Sequence, residues 1–114
     1  MSIVGILIIV ILIMYIFEYF SLKNTVDSNT YQAVFLDNGQ IYFGHLGKIN
    51  SKFPVLSDTH YVQIDDTTSR GTLVKLGSVE THAPYDKMML NKEHILFWEN
   101  LRPDSPFMDS LKNL

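Results

Sequence analysis

The chain contains no cysteine and a single tryptophan among its 114 residues. Without thiols there is no disulfide, no thiol nucleophile and no zinc–thiolate site, and that absence fits any redox compartment. An excess of positive charge is missing as well: 9 Lys+Arg stand against 12 Asp+Glu, for a formal net charge of −3. Glu18 is the one charged residue before Ser21, so 9 basic and 11 acidic groups remain from there on. A nucleic-acid partner is disfavoured, because it asks for a basic face. Nor does the sequence offer a polybasic strip for anionic lipid. There is no Gly-x-Ser-x-Gly elbow, no phosphate-cradling glycine loop, no internal repeat and no low-complexity segment.

The most telling absence is local. Met1 to Phe17 carry no charged side chain. Ile3, Val4, Ile6, Leu7, Ile8, Ile9, Val10, Ile11, Leu12, Ile13, Met14, Tyr15, Ile16 and Phe17 leave only Gly5 to interrupt an apolar run. At about 1.5 Å per residue, a helix through Phe20 reaches roughly the ~30 Å of a bilayer's hydrocarbon core. A cleaved signal would show a positive start and small residues at the cut, and neither is present. A buried core helix would show a polar face or a larger protein around it. An uncleaved single-pass anchor in the cell membrane is therefore expected over residues 1–21, with Tyr15, Tyr19 and Phe20 as its interfacial belt. Lys23 alone pulls the following segment toward the cytoplasm, against Glu18 and Asp27, so the side of the soluble domain stays open.

Residues 22–30 are polar and read as a linker. Strand signals then follow in series over residues 31–101. Tyr31–Leu36 and Gln40–Leu46 flank Asp37-Asn38-Gly39, a turn whose residues tolerate positive φ. Gly44 in mid-strand suggests a sharp bend. Phe53–Leu56 with Tyr61–Ile64 gives a third strand with an irregular start, and Thr72–Leu76 a fourth. After a loop over Gly77–Asp86 come Met88–Leu90, a turn at Asn91–Glu93, and a closing strand from His94 to Trp98. Ser105-Pro106 suits an N-cap and first helical position. Phe107, Met108, Leu111 and Leu114 form one side of a short helix within residues 102–114. The fold class is mainly β: an N-terminal transmembrane helix, a small antiparallel barrel of about five strands, and a short C-terminal helix. Both parities of the first two strands carry large apolar groups, so part of that surface meets either the C-terminal helix or a partner.

The run Val34–Leu46, with its Leu36-Asp37-Asn38-Gly39 hairpin and Gly44, resembles the first half of an Sm-like barrel. Met88–Trp98 resembles that family's second motif. The resemblance implies a small barrel and, because such barrels join edge strands into rings, a homo-oligomer. It does not carry over RNA reading. Asn50 and Phe53-Pro54 replace the family's Asp and Met-Asn, and Asn91-Lys92 replaces its Arg-Gly. Tyr31–Leu36, Asn38–Gln40, Tyr42–Gly44 and His94–Leu101 also resemble an uncharacterised family of short single-span proteins of small-genome bacteria, a likeness that brings no activity with it.

Chemical candidates are few. His45, His60, His82 and His94 never fall at metal-ligand spacing, and Asp65-Asp66 lacks the alternation of a calcium loop. Glu80, His82 and Asp86 share the longest loop and could form an acid–base group there, without any accompanying nucleophile. The expectation is a non-enzymatic module without cofactor or metal, held at the lipid bilayer and acting through protein contact as a scaffold or accessory subunit of an envelope complex. A ligand-binding or hydrolytic domain using the Gly77–Asp86 loop is the alternative.

Overall fold

The computed structural model describes residues 2–114, the side chains of Leu22 and Lys23 apart. Helix α1 runs over Ile3–Asn24. Its apolar window, Ile3–Ser21, is long and apolar enough to cross a membrane, and none of it is buried by the rest of the chain. The helix extends three residues beyond the end expected for the anchor.

Six strands follow: β1 (Gln32–Leu36), β2 (Ile41–Gly47), β3 (Val55–Ile64), β4 (Gly71–Lys75), β5 (Met88–Met89) and β6 (Ile95–Asn100). All pairings are antiparallel, in the order β4-β3-β2-β1-β6, with β5 joining β3 off this path. The expected antiparallel sheet is present with six strands, and its ladder is open rather than closed on itself. Gly39 at φ +85 makes the β1–β2 turn, where Asn38 accepts from the Gln40 N–H. A single turn of 3₁₀ helix, Lys92–His94, leads into β6 and is capped by Asn91. Helix α2 (Pro106–Lys112) starts on Ser105, whose side chain accepts from the Met108 N–H.

The third strand, expected with an irregular start, is β3, continuous over Val55–Ile64. Its irregularity is a bulge. The register against β2 shifts between Phe43 and His45, and on β3 Asp58 takes φ +50. Extra residues of this kind bend a strand. Here the bend lets the first part of β3 pair with β5 and the last part with β4. Gly44 lies opposite the bulge. A Cβ there would stand 2.6 Å from the Ser57 carbonyl oxygen and 2.8 Å from Leu56 Cγ, so only glycine lets β2 and β3 approach this closely.

One face of the sheet buries Val34, Leu46, Leu56 and Leu90 with Ile49 of the β2–β3 loop; Val26, Tyr42 and Trp98 pack around them. The other face holds an aromatic layer under α2. Phe107 stacks on Phe43 at 4.6 Å and tilts against Tyr31 at 5.2 Å. The C-terminal helix thus covers part of the outward apolar surface, while Leu114 at its end stays exposed.

The segment expected to be a free linker is stitched to the sheet. Val26 packs against the core. Asn100 accepts from the Asp27 N–H at 3.0 Å and donates to the Thr25 carbonyl at 2.9 Å. Gln32, buried in β1, donates to the carbonyls of Asp27 and Thr30 and to Asn100. Thr30 donates its hydroxyl to the Leu101 carbonyl.

Candidate functional site

The loop after β4 holds the three residues singled out as a candidate acid–base group. It opens at Gly77, whose φ of +93 and whose closeness to the Pro84 carbonyl (2.3 Å from an added Cβ) leave no room for a side chain. Within it, the Ala83 N–H bonds the Glu80 carbonyl at 2.9 Å. That turn directs the Glu80 carboxylate inward. One oxygen accepts from the Tyr61 hydroxyl, the other from the Gly77 N–H at 2.7 Å.

Glu80 and His82 border a cavity of about 740 Å³ on the β2–β3 surface, together with Tyr42, Tyr61 and Gln63. Tyr42 and Tyr61 meet edge to face, 6.1 Å between ring centres. The Glu80 hydrogen bond, with burial second, pushes the Tyr61 phenol up to about 12. The same bond, chiefly, holds Glu80 below the ordinary carboxylate range. A neutral phenol donating to an ionised carboxylate is a stable pairing at neutral pH. It positions neither group to exchange a proton with a substrate there.

Asp86 belongs elsewhere. Its carbonyl accepts from the Thr59 N–H at 3.1 Å, and its carboxylate faces Lys75 at 3.6 Å. Lys75 also reaches Asp58 at 3.4 Å, and Asp58 accepts from the Tyr31 hydroxyl. The structure thus separates Glu80 and His82, on one cavity, from Asp86, on a second polar cluster of Tyr31, Asp58 and Lys75. Burial would raise the Asp58 carboxyl. The bonds from Tyr31 and Lys75 and the charges of His60 and Lys75 outweigh it, so the group lies below its usual value. Burial and the Asp58 carboxylate push Tyr31 up to about 12. The second cluster escapes sequence reasoning because its members come from the segment before β1, from β3, from β4 and from the loop after β4. The one local signal is the gap between the two apolar halves of β3, where Asp58 sits.

Three of the four histidines also have fixed partners in the fold. His60, only 3% exposed, has Nδ1 2.9 Å from the Asp58 carbonyl. His45 Nδ1 lies 3.0 Å from the Thr30 carbonyl, and the His45 ring packs 4.2 Å from that of Tyr31. His94 Nδ1 lies 2.7 Å from an Asp37 oxygen. Among the described residues no three His, Asp or Glu side chains converge as a metal site.

Exposed apolar side chains outside α1 lie both on loops, at Phe53, Val79 and Tyr85, and on strands, where β6 is one example. β6 has no strand on its outer side. It shows Leu96 at 65% and Phe97 at 50% exposure, and the Phe97 ring stacks on Phe35 at 4.2 Å. Comparison of the chain with protein-family models, with curated proteins and with solved structures yields no match.

Proposed function

We propose that the chain is a non-enzymatic β module tethered to the cell membrane, acting by protein–protein contact as a scaffold or accessory subunit of an envelope complex. The observation that carries this reading is the open margin of β6. It combines an unpaired strand edge with Leu96 and the Phe97–Phe35 stack at the surface, the features through which strand addition recruits another chain. The anchor is supported by a helix whose apolar window is bare on all sides. A core helix would be buried there. The absence of a catalytic role is supported by the way Glu80, Asp86, Asp58 and Tyr61 are spent on one another and on backbone groups.

The barrel and its Sm-like affinity belong to the same proposal, as does kinship with short single-span proteins of small-genome bacteria. In favour of a rolled sheet, the chain from Leu90 onward leaves β3 and joins β1. Leu90 and Lys92 donate to the carbonyls of Pro54 and Lys52, and His94 accepts from the Asp37 N–H. Pairing of two β6 edges would give the homo-oligomer that the likeness implies.

A photo-crosslinking residue at Leu96, in the full chain in its own membrane, is expected to yield a defined protein adduct, with the same probe at Val79 as the comparison. Lipid adducts alone, or identical patterns at both positions, refute the contact role. The cavity bordered by Glu80 and His82 is the one observation that favours a ligand-binding or hydrolytic role instead. Joint replacement of Glu80, His82 and Asp86 leaves the phenotype intact if the contact reading holds.

A further inference from the structure

The fold gathers lysines that sequence order scatters. Lys48 and Lys52 lie on the loop between β2 and β3, with no acidic residue from Gly47 to Val55. Lys87 meets Lys48 along a shallow cavity of about 530 Å³ that Val55 and Met89 also line. Lys92 donates its backbone N–H to the Lys52 carbonyl at 3.1 Å. All four are exposed. The ion pairs among the described residues use Lys75, His94 and Arg102 and none of these four. Of the acids adjacent in sequence, Asp86 faces Lys75 and Glu93 is exposed beside Lys92. Four of the 9 basic residues thus share one end of a domain that is otherwise acidic.

This is also the end at which α1 arrives. Asn50 donates its side-chain amide to the Tyr19 carbonyl at 3.4 Å. Tyr19 borders a cavity of about 540 Å³ with Lys48, Asn50 and Ser51, two residues before the apolar window ends at Ser21. An aromatic residue at that depth sits among headgroups, and Asn50 therefore reaches headgroup level too. The same end carries exposed Phe53 (48%) and Met89 (70%), with the Lys52 ammonium 5.8 Å from the Phe53 ring centre.

We propose that this end of the domain, formed by Lys48, Lys52, Phe53, Lys87, Met89 and Lys92, lies against the bilayer and binds anionic phospholipid headgroups. The proposal rests on reading α1 as a membrane anchor. Attraction to a negative surface decays within about 8 Å at physiological salt. The contact of Asn50 with Tyr19 holds the β2–β3 loop, and with it Lys48 and Lys52, at the headgroup level where that attraction acts. Phe53 and Met89 supply apolar tips that partition into the headgroup zone while the ammonium groups stay at phosphate level.

The test uses the full chain in lipid nanodiscs, which its lack of cysteine makes convenient. Single labels are placed at S51C on the docking end, at D66C beyond the far end of β3, and at I9C in the helix. Nitroxide-bearing lipids report contact. In discs containing phosphatidylglycerol, quenching at S51C is expected to exceed that at D66C by at least about threefold, and to fall toward it as salt rises and the Debye length shrinks from ~30 to ~3 Å. Replacing Lys48, Lys52, Lys87 and Lys92 by Gln is expected to reduce the excess to the level found in neutral lipid without changing the fluorescence of Trp98. Quenching at S51C no greater than at D66C, or unaffected by the four substitutions or by removing the anionic lipid, overturns the docking. Quenching at I9C by deep-chain nitroxides shows that the anchor stands even if docking fails. Its absence overturns both.

Discussion

Replacing Gly44 with Ala tests how tightly β2 crosses the bulge of β3. The added methyl would sit 2.6 Å from the Ser57 carbonyl oxygen, and 2.8 and 3.1 Å from Leu56 Cγ and Cδ1. Neither neighbour can yield easily. The first is backbone, and the second belongs to a side chain with no exposed surface at the centre of the core. Overpacking of this sort costs about 1–3 kcal/mol, and the backbone clash puts Gly44 near ~3. Alanine stiffens the unfolded chain, offsetting about 0.5–1 kcal/mol. The net loss of about 2 kcal/mol corresponds to a fall in Tm of roughly 8–16 °C for a domain of this size. Trp98, the only tryptophan and half-buried beside the core, reports melting of the β domain in detergent without interference from α1. Gly47→Ala in the same strand is the control. Its Cβ would find nothing closer than the Val55 carbonyl at 3.9 Å, so Tm is expected to hold or rise slightly. A Gly44→Ala protein melting within about 2 °C of the parent would refute the close approach of β2 and β3.

Asn100→Ala removes an acceptor for Gln32 and Asp27 and the donor to Thr25; a loss of about 0.5–1.5 kcal/mol is expected, because the Gln32 amide keeps the Asp27 and Thr30 carbonyls, and protease sensitivity should appear between Asn24 and Tyr31. Asp58, lowered in the folded protein from a model-peptide value of 3.8, contributes stability that is present above that value and lost as pH falls through the folded one. Asp58→Asn, which tolerates the left-handed backbone and still accepts from Tyr31, is expected to flatten the decline in Trp98-monitored stability below about pH 4, at a neutral-pH cost under ~1 kcal/mol because the Lys75 pair is half exposed. Spectroscopic titration of tyrosinate should find Tyr31 and Tyr61 ionising near 12, and Tyr31→Phe and Tyr61→Phe should each remove one late step; titration of both near 10 would contradict the bonds to Asp58 and Glu80.

The parts of this fold that local chemistry dictates are readable in the sequence. The Asp37-Asn38-Gly39 turn, the Ser105-Pro106 helix start and the apolar run of α1 each carry their own cause within a few residues. The parts that depend on pairing across the chain are not. Strand β3 reads as one strand with an irregular start because Asp58 interrupts its apolar alternation, and only the register against β2 reveals that the irregularity is a bulge. Residues 22–30 read as a linker because they are mostly polar, yet Asn100 and Gln32, some seventy residues apart, fasten Thr25, Asp27 and Thr30. Glu80, His82 and Asp86 share a loop, but neighbouring side chains in a turn point different ways, and Asp86 ends beside Lys75. The lysine cluster is invisible to any count along the chain, since Lys52 and Lys92 meet through the pairing of the β2–β3 loop with the segment after β5.

The stitched segment between α1 and β1 makes the helix and the sheet turn together. A slack tether would let the domain tumble while the helix spins freely in lipid. Here the helix continues to Asn24 and the next residues are fastened by Val26, Asn100 and Gln32, so in the membrane-anchored arrangement proposed above the rotational setting of α1 fixes the compass direction in which β6 points. A neighbouring transmembrane helix that selects one side of α1 would thereby aim that strand edge at, or away from, whatever stands next to it.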